Sequence, residues 1–224
     1  MQLVDELSMI YTTCLMCFAT FSYGKSFRYS IGLAIGLISL ALFVTLYYHH
    51  IQDPAFHQNV YALLTATVLF RAVYMMEVAI RPRLKSEERK ALNPRPDRTV
   101  EAVRMREDRR DQEILRTMWQ MIVTGLSIFL GGFLIWHLDN VHCAKLISWR
   151  REIGLPWGFV LEGHGWWHLM TGTGAYFYLV WGIWLRHCLN YRHDEYELYW
   201  PNWFTMPEVV KARQPANGAT KKTL

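Results

Sequence analysis

Apolar residues in this chain gather into long blocks separated by short polar links, with little sign of the strict alternation expected of half-buried strands. Five blocks approach or exceed the roughly 20 helical residues that cross a bilayer's hydrocarbon: about 7–23, 29–48, 60–80, 118–138 and 164–188. The pattern predicts an all-α fold, a polytopic membrane helical bundle with five transmembrane helices present over residues 1–193. A polar cytosolic loop at 81–116 would lie between spans three and four, with a cytosolic tail at 194–224. Within that loop, 99–112 reads as a polar helix after the breakers Pro82, Pro94 and Pro96. In the second span, Gly32 and Gly36 form a small-xxx-small pair suited to close helix contact.

Composition alone would hide this. Over 224 residues the mean hydropathy is only +0.03, with 52% hydrophobic and 19% charged residues. The charged loop dilutes the apolar blocks. A net charge of +5 would suggest anionic partners in a soluble protein; in a membrane protein the distribution of Lys and Arg reports orientation instead. Twenty fall on the side of the first link, the polar loop and the tail (counting Arg186 with the tail), against three on the other side, Lys145, Arg150 and Arg151. The N-terminus is therefore expected in the lumen and the C-terminus in the cytosol. No basic n-region or small-residue cleavage site precedes the first block, so no signal peptide is expected. Cys14, Cys17, Cys143 and Cys188 make no disulfide framework, and three lie in or beside apolar blocks as small hydrophobes.

The candidate chemistry sits at the head of the last block, Glu162-Gly163-His164-Gly165-Trp166-Trp167-His168. Histidines four residues apart stack on one helix face, as two ligands of one zinc require; a hydrolytic zinc takes about three protein ligands and leaves a position open for water. The intervening residues are Gly-Trp-Trp, so the glutamate base of the HExxH pattern is missing. The expected topology places Asp5 on the same bilayer face, the best-placed carboxylate to act as base. The competing readings are a histidine pair beside an interfacial tryptophan belt and a carboxylate favoured by a helix N-terminus. Arg71 and Glu77 inside the third span read either as functional groups or as a snorkelling or structural ion pair. Asp139 and Asn140 read as a turn or cap, and His137, His142 and Cys143 fit no standard zinc spacing. Lys221 and Lys222, third and fourth from the C-terminus, match a cytosolic retrieval address to the endoplasmic reticulum.

Three ordered motifs carry a family resemblance: Met1-Gln2-Leu3-Val4-Asp5-Glu6-Leu7-Ser8-Met9-Ile10-Tyr11, then Trp136-His137-Leu138-Asp139-Asn140, then Gly163-His164-Gly165-Trp166-Trp167-His168. To about residue 210 the chain resembles the alkaline ceramidases, and its long basic loop is similar to that of the fungal members. The resemblance implies the last five helices of a seven-helix intramembrane zinc amidohydrolase of the endoplasmic reticulum or Golgi, acting in sphingolipid metabolism. Its substrates would be ceramides (phytoceramide or dihydroceramide), cut to a sphingoid base and a free fatty acid. His164 and His168 match two zinc ligands, and Asp5 the aspartate beside the zinc-bound water. Asp139, Asn140 and Cys143 match a lumenal motif of structural role. The resemblance also implies a third zinc histidine about seven residues before Met1, with a serine near the metal and an acidic calcium-binding segment further upstream. On that expectation the chain is N-terminally truncated relative to the family, lacks the calcium site and leaves Cys143 without a disulfide partner. The alternative is a non-catalytic, receptor-like membrane protein with a structural zinc. A metal transporter fits less well, because no polar path crosses the spans.

Overall fold

The computed structural model describes residues 2–51, 54–92 and 97–212, while the side chains of 2–6, 54, 88 and 90–92 lie outside that description. The chain forms two compact units, Met1–Val78 and Ala79–Leu224. Helices α1 (Gln2–Phe21), α2 (Phe27–Ile51) and α3 (Pro54–Ile80) come first. Then follow α4 (Pro82–Leu92), α5 (Arg98–Val141), α6 (Cys143–Ile153), a 3₁₀ turn at Trp157–Leu161 and α7 (Gly163–Leu189), closed by strands β1 (Tyr196–Tyr199) and β2 (Glu208–Lys211). The described chain is overwhelmingly helical, as expected of a helical membrane protein.

Among the described residues three helices are long and apolar enough to cross a membrane: Phe27–Ile51, Ala55–Ile80 and Arg98–Val141. In α1 the described apolar stretch is the shorter Leu7–Phe21. The 27 residues of α7 rise about 40 Å at 1.5 Å each; its glycines, threonines and histidines lower its hydropathy without shortening it.

In the first unit Ile10, Cys14 and Val44 form a buried core onto which Leu40, Phe56, Val60 and Leu64 pack. Tyr11 and Thr45 share a hydrogen bond of 2.8 Å between α1 and α2. Arg71 lies inside the third span with its guanidinium 5.8 Å from the Phe21 ring and 5.6 Å from the Tyr74 ring. Aromatic faces thus offer its charge a partner within the apolar zone. The close approach expected of Gly32 and Gly36 is not made: a Cβ at either position would meet nothing within 4 Å.

Close approach occurs instead between α5 and α7, which run antiparallel. A Cβ added at Gly125 would stand 2.8 Å from Phe177 Cβ, one at Gly132 2.8 Å from Met170 Cβ, and one at Gly163 2.6 Å from Asp139 Cβ. Where lipid already solvates apolar surface, such backbone proximity is what drives helices together. Trp167 fills the seam, its ring 5.5 Å from Phe129 and 5.8 Å from Phe133. Since α7 follows the apolar half of α5 from Asp139 to Gly125, the two helices occupy the same depth.

The 44 residues of α5 extend well beyond any bilayer. No glycine or proline interrupts it between Asp97 and Gly125, so the polar helix expected at 99–112 and the span expected at 118–138 form one rod. Its charged half pairs with α4: Lys85 donates to buried Asp111 at 2.6 Å, and Arg89 reaches Asp108 at 3.0 Å and Glu107 at 3.2 Å. Within 81–116, α4 and the charged half of α5 thus pair as a helical hairpin. Beyond α7, Arg192 donates to Glu195 at 2.7 Å, and this hydrogen bond holds the Glu195 carboxyl below its ordinary range.

The strands pair antiparallel, Tyr196 opposite Lys211 and Tyr199 opposite Glu208, and lie along α7. His187 stacks on Tyr196 with centroids 3.9 Å apart, Phe177 meets Trp200 at 5.6 Å, and the Tyr176 hydroxyl donates to the Pro207 carbonyl at 2.9 Å. Lys221 and Lys222 lie outside the described residues.

Replacing Gly132 by Val should force α5 and α7 apart and cost about 1–3 kcal/mol as an overpacked contact. Thermal unfolding in detergent should show a lower melting temperature for Gly132→Val and a smaller change for Gly172→Val, whose position faces open space.

Candidate metal and hydrolase site

The head of α7 is built by the link before it. α6 and the 3₁₀ turn fold back together, with Arg150 paired to Glu162 immediately before α7. The Trp166 indole donates to the Val160 carbonyl at 3.0 Å, and Phe159 lies 6.2 Å from the Trp166 ring. The resulting lip exposes Trp149, Leu155, Trp157 and Phe159, aromatic and aliphatic groups of the kind that settle at a membrane interface.

From this lip α7 sends its residues to two faces. Gly163, Trp167, Met170 and Gly174 meet α5. His164 and His168, each one position further along, are turned about 100° from that seam and are exposed. Their Nε2 atoms stand 3.0 Å apart, with the rings edge to face at a centroid distance of 4.7 Å. Two nitrogen ligands on a tetrahedral zinc stand roughly 3.3 Å apart, from bonds of about 2.0–2.1 Å. The pair therefore fits two adjacent positions of such a site. A separation of 3.0 Å suits one proton or one metal ion between the rings.

Among the described residues no group of three or more His, Cys, Asp or Glu side chains gathers around a metal position. His137, His142 and Cys143 are exposed at the end of α5 and the start of α6 and form no such group. His57 is buried against Tyr48, and His187 is stacked on Tyr196. Asp5 lies in the first turns of α1, and its side chain lies outside the described residues.

Asp139 takes a place that spacing did not reveal. Instead of forming a turn, it belongs to α5, which continues to Val141. Its Cβ lies against Gly163, the residue before His164, and its buried Oδ1 has no hydrogen-bond partner. The glycine is what admits the carboxylate here. The sequence signals beside this contact were the Trp136–Asn140 motif, which holds Asp139, and Gly163 at the start of the histidine motif.

Comparison with known proteins bears out the family resemblance. The family model described as Ceramidase matches residues 1–210. Alkaline ceramidase 3 of Mus musculus is 29% identical over 207 residues, covering 90% of this chain and 64% of that protein. Alkaline ceramidase YPC1 of Saccharomyces cerevisiae is 38% identical over 103 residues, covering 45% and 32%. The chain thus spans less than two thirds of the length of these curated relatives.

Substituting Gly163 by Ala should drive a methyl into Asp139 and lower the melting temperature. Gly165→Ala, whose Cβ would come no closer than 3.9 Å to Glu162, should hold or raise it, because Ala exceeds Gly in helix propensity by about 1 kcal/mol.

Proposed function

The chain belongs to the ceramidase family, and on that premise we propose that it hydrolyses the amide bond of ceramides in a zinc-dependent reaction. Phytoceramide and dihydroceramide are the expected substrates, and a sphingoid base and a free fatty acid the products. The observation that carries the proposal is the 3.0 Å approach of the His164 and His168 Nε2 atoms at one end of the α5–α7 pair. The site would face the lumen of the endoplasmic reticulum, with the C-terminus in the cytosol. The excess of Lys and Arg in 81–116 supports that orientation.

In this reading His164 and His168 would hold the zinc. When bound, the zinc supplies a Lewis acid for the amide carbonyl and brings the pKa of a water near 7. Asp5 takes the proton as water oxygen bonds to the carbonyl carbon, and returns it to nitrogen as the C–N bond breaks. The leaving group is then an amine, and the acyl part a fatty acid. Support for Asp5 comes from the Met1–Tyr11 motif, which falls within the family match. A lipid substrate suits the exposed aromatic lip beside the histidines, where its amide can reach the interface while its chains stay among apolar helices.

His168→Ala should lose both zinc, read by elemental analysis, and ceramide hydrolysis, with helical content by circular dichroism unchanged. Normal zinc content in that variant would remove His168 from the ligand set. Asp5→Asn should retain zinc while turnover falls by about 10²–10⁴-fold, the usual contribution of a general base; undiminished turnover would exclude Asp5 from that role. A wild-type protein that holds zinc and cleaves no ceramide would make the metal structural.

A further inference from the structure

The segment after α7 bears on how the protein meets lipid. Between β1 and β2 runs Trp200-Pro201-Asn202-Trp203-Phe204-Thr205-Met206-Pro207, eight residues without a charge. Trp203, Phe204 and Met206 are exposed, Phe204 completely. In water this would be an unfavourable tip.

Its position resolves that. β1 climbs α7 from Tyr196, stacked on His187, to Trp200, set against Phe177. The climb of four strand residues, about 13 Å at 3.3 Å each, matches ten helical residues at 1.5 Å, about 15 Å. Phe177 in turn touches Gly125 of α5. Gly125 lies nine residues beyond Arg116, the last charge before the apolar half of α5, or about 13 Å along the helix. The loop therefore starts beside the apolar half of α5, inside the span expected at 118–138, with Glu208 at its stem opposite Tyr199.

Several of its polar groups are paired within the loop, which lowers the cost of a setting where hydrocarbon offers no water. The Trp200 indole donates to the Thr205 carbonyl at 3.0 Å, and the Thr205 hydroxyl donates to the Asn202 carbonyl at 2.8 Å. The Phe204 amide donates to Asn202 Oδ1 at 3.0 Å. The Pro207 carbonyl accepts from Tyr176, and Pro201 and Pro207 have no amide hydrogen to satisfy. Charges return only on the strands, at Glu197, Glu208 and Lys211.

We propose that the loop Trp200–Pro207 is re-entrant: it dips into the leaflet on the α4 side and presents Trp203 and Phe204 to lipid acyl chains. The strands act as its stem, and α7 as the wall it climbs.

Spin labelling in lipid nanodiscs tests this. With Cys14, Cys17, Cys143 and Cys188 replaced, labels are placed through Phe204→Cys and Lys211→Cys. Position 204 should show several-fold greater accessibility to oxygen relative to a water-soluble nickel chelate than position 211. Equal nickel access at both would place the loop in water and overturn the proposal. Protection at 204 from both reagents would mean a protein partner there and overturn it equally. If the cysteine-free background does not fold, p-benzoylphenylalanine at position 204 of the native chain serves instead. Photocrosslinking should add the mass of a lipid, and a crosslink only to protein, or none, counts against immersion.

Discussion

Two helix backbones can lie this close only where one of them carries no side chain. At Gly125, Gly132 and Gly163 the seam between α5 and α7 leaves no room for a methyl, and the rest of the second unit takes its geometry from that seam. Trp167 settles among Phe129, Phe133 and Trp136 because the backbones are near enough for one indole to reach all three. His164 and His168 are displayed because their neighbours Gly163 and Trp167 are committed to α5. The strands find a surface to climb because α7 is held along its length. In lipid, where burying apolar groups gains little, a contact made by small residues is the economical solution.

The long spans were legible because a bilayer crossing demands an apolar block of a set length. The HxxxH pair was legible because helix geometry turns a spacing of four into adjacency. The glycines show the limit of such reading. Gly32 and Gly36 have the better-known spacing and meet nothing, while Gly125, Gly132 and Gly163 make the closest contacts. A small-residue pattern says where a helix can be approached, and which helix arrives is a tertiary fact. Asp139 shows the same limit. Its Asp-Asn neighbourhood suggests a turn, but the helix continues past it, and packing against α7 assigns the carboxylate its place.

The strands were least visible. Each has four residues, too few for alternation to distinguish them from a polar tail, and their support is the aromatic flank of a helix elsewhere in the chain. The signal that could have raised them was the uncharged, proline-bracketed, aromatic stretch from Trp200 to Pro207, which is out of place in a solvated tail. The hairpin within 81–116 was partly legible. Its charges marked it as solvated, but the pairing of Lys85 with Asp111 and of Arg89 with Asp108 depends on α4 folding back along α5.

The unbroken run of α5 has a consequence for how this chain can vary in length. Each residue added to a helix rotates everything beyond it by about 100° and advances it 1.5 Å. One insertion between Asp111 and Gly125 would swing either the ion pairs with α4 or the glycine seam with α7 off its face. Asp139 would lose its place under Gly163 although the change lay some twenty residues away. The interior of α5 is therefore a ruler of fixed length, tying the charged hairpin at one end to the histidines at the other.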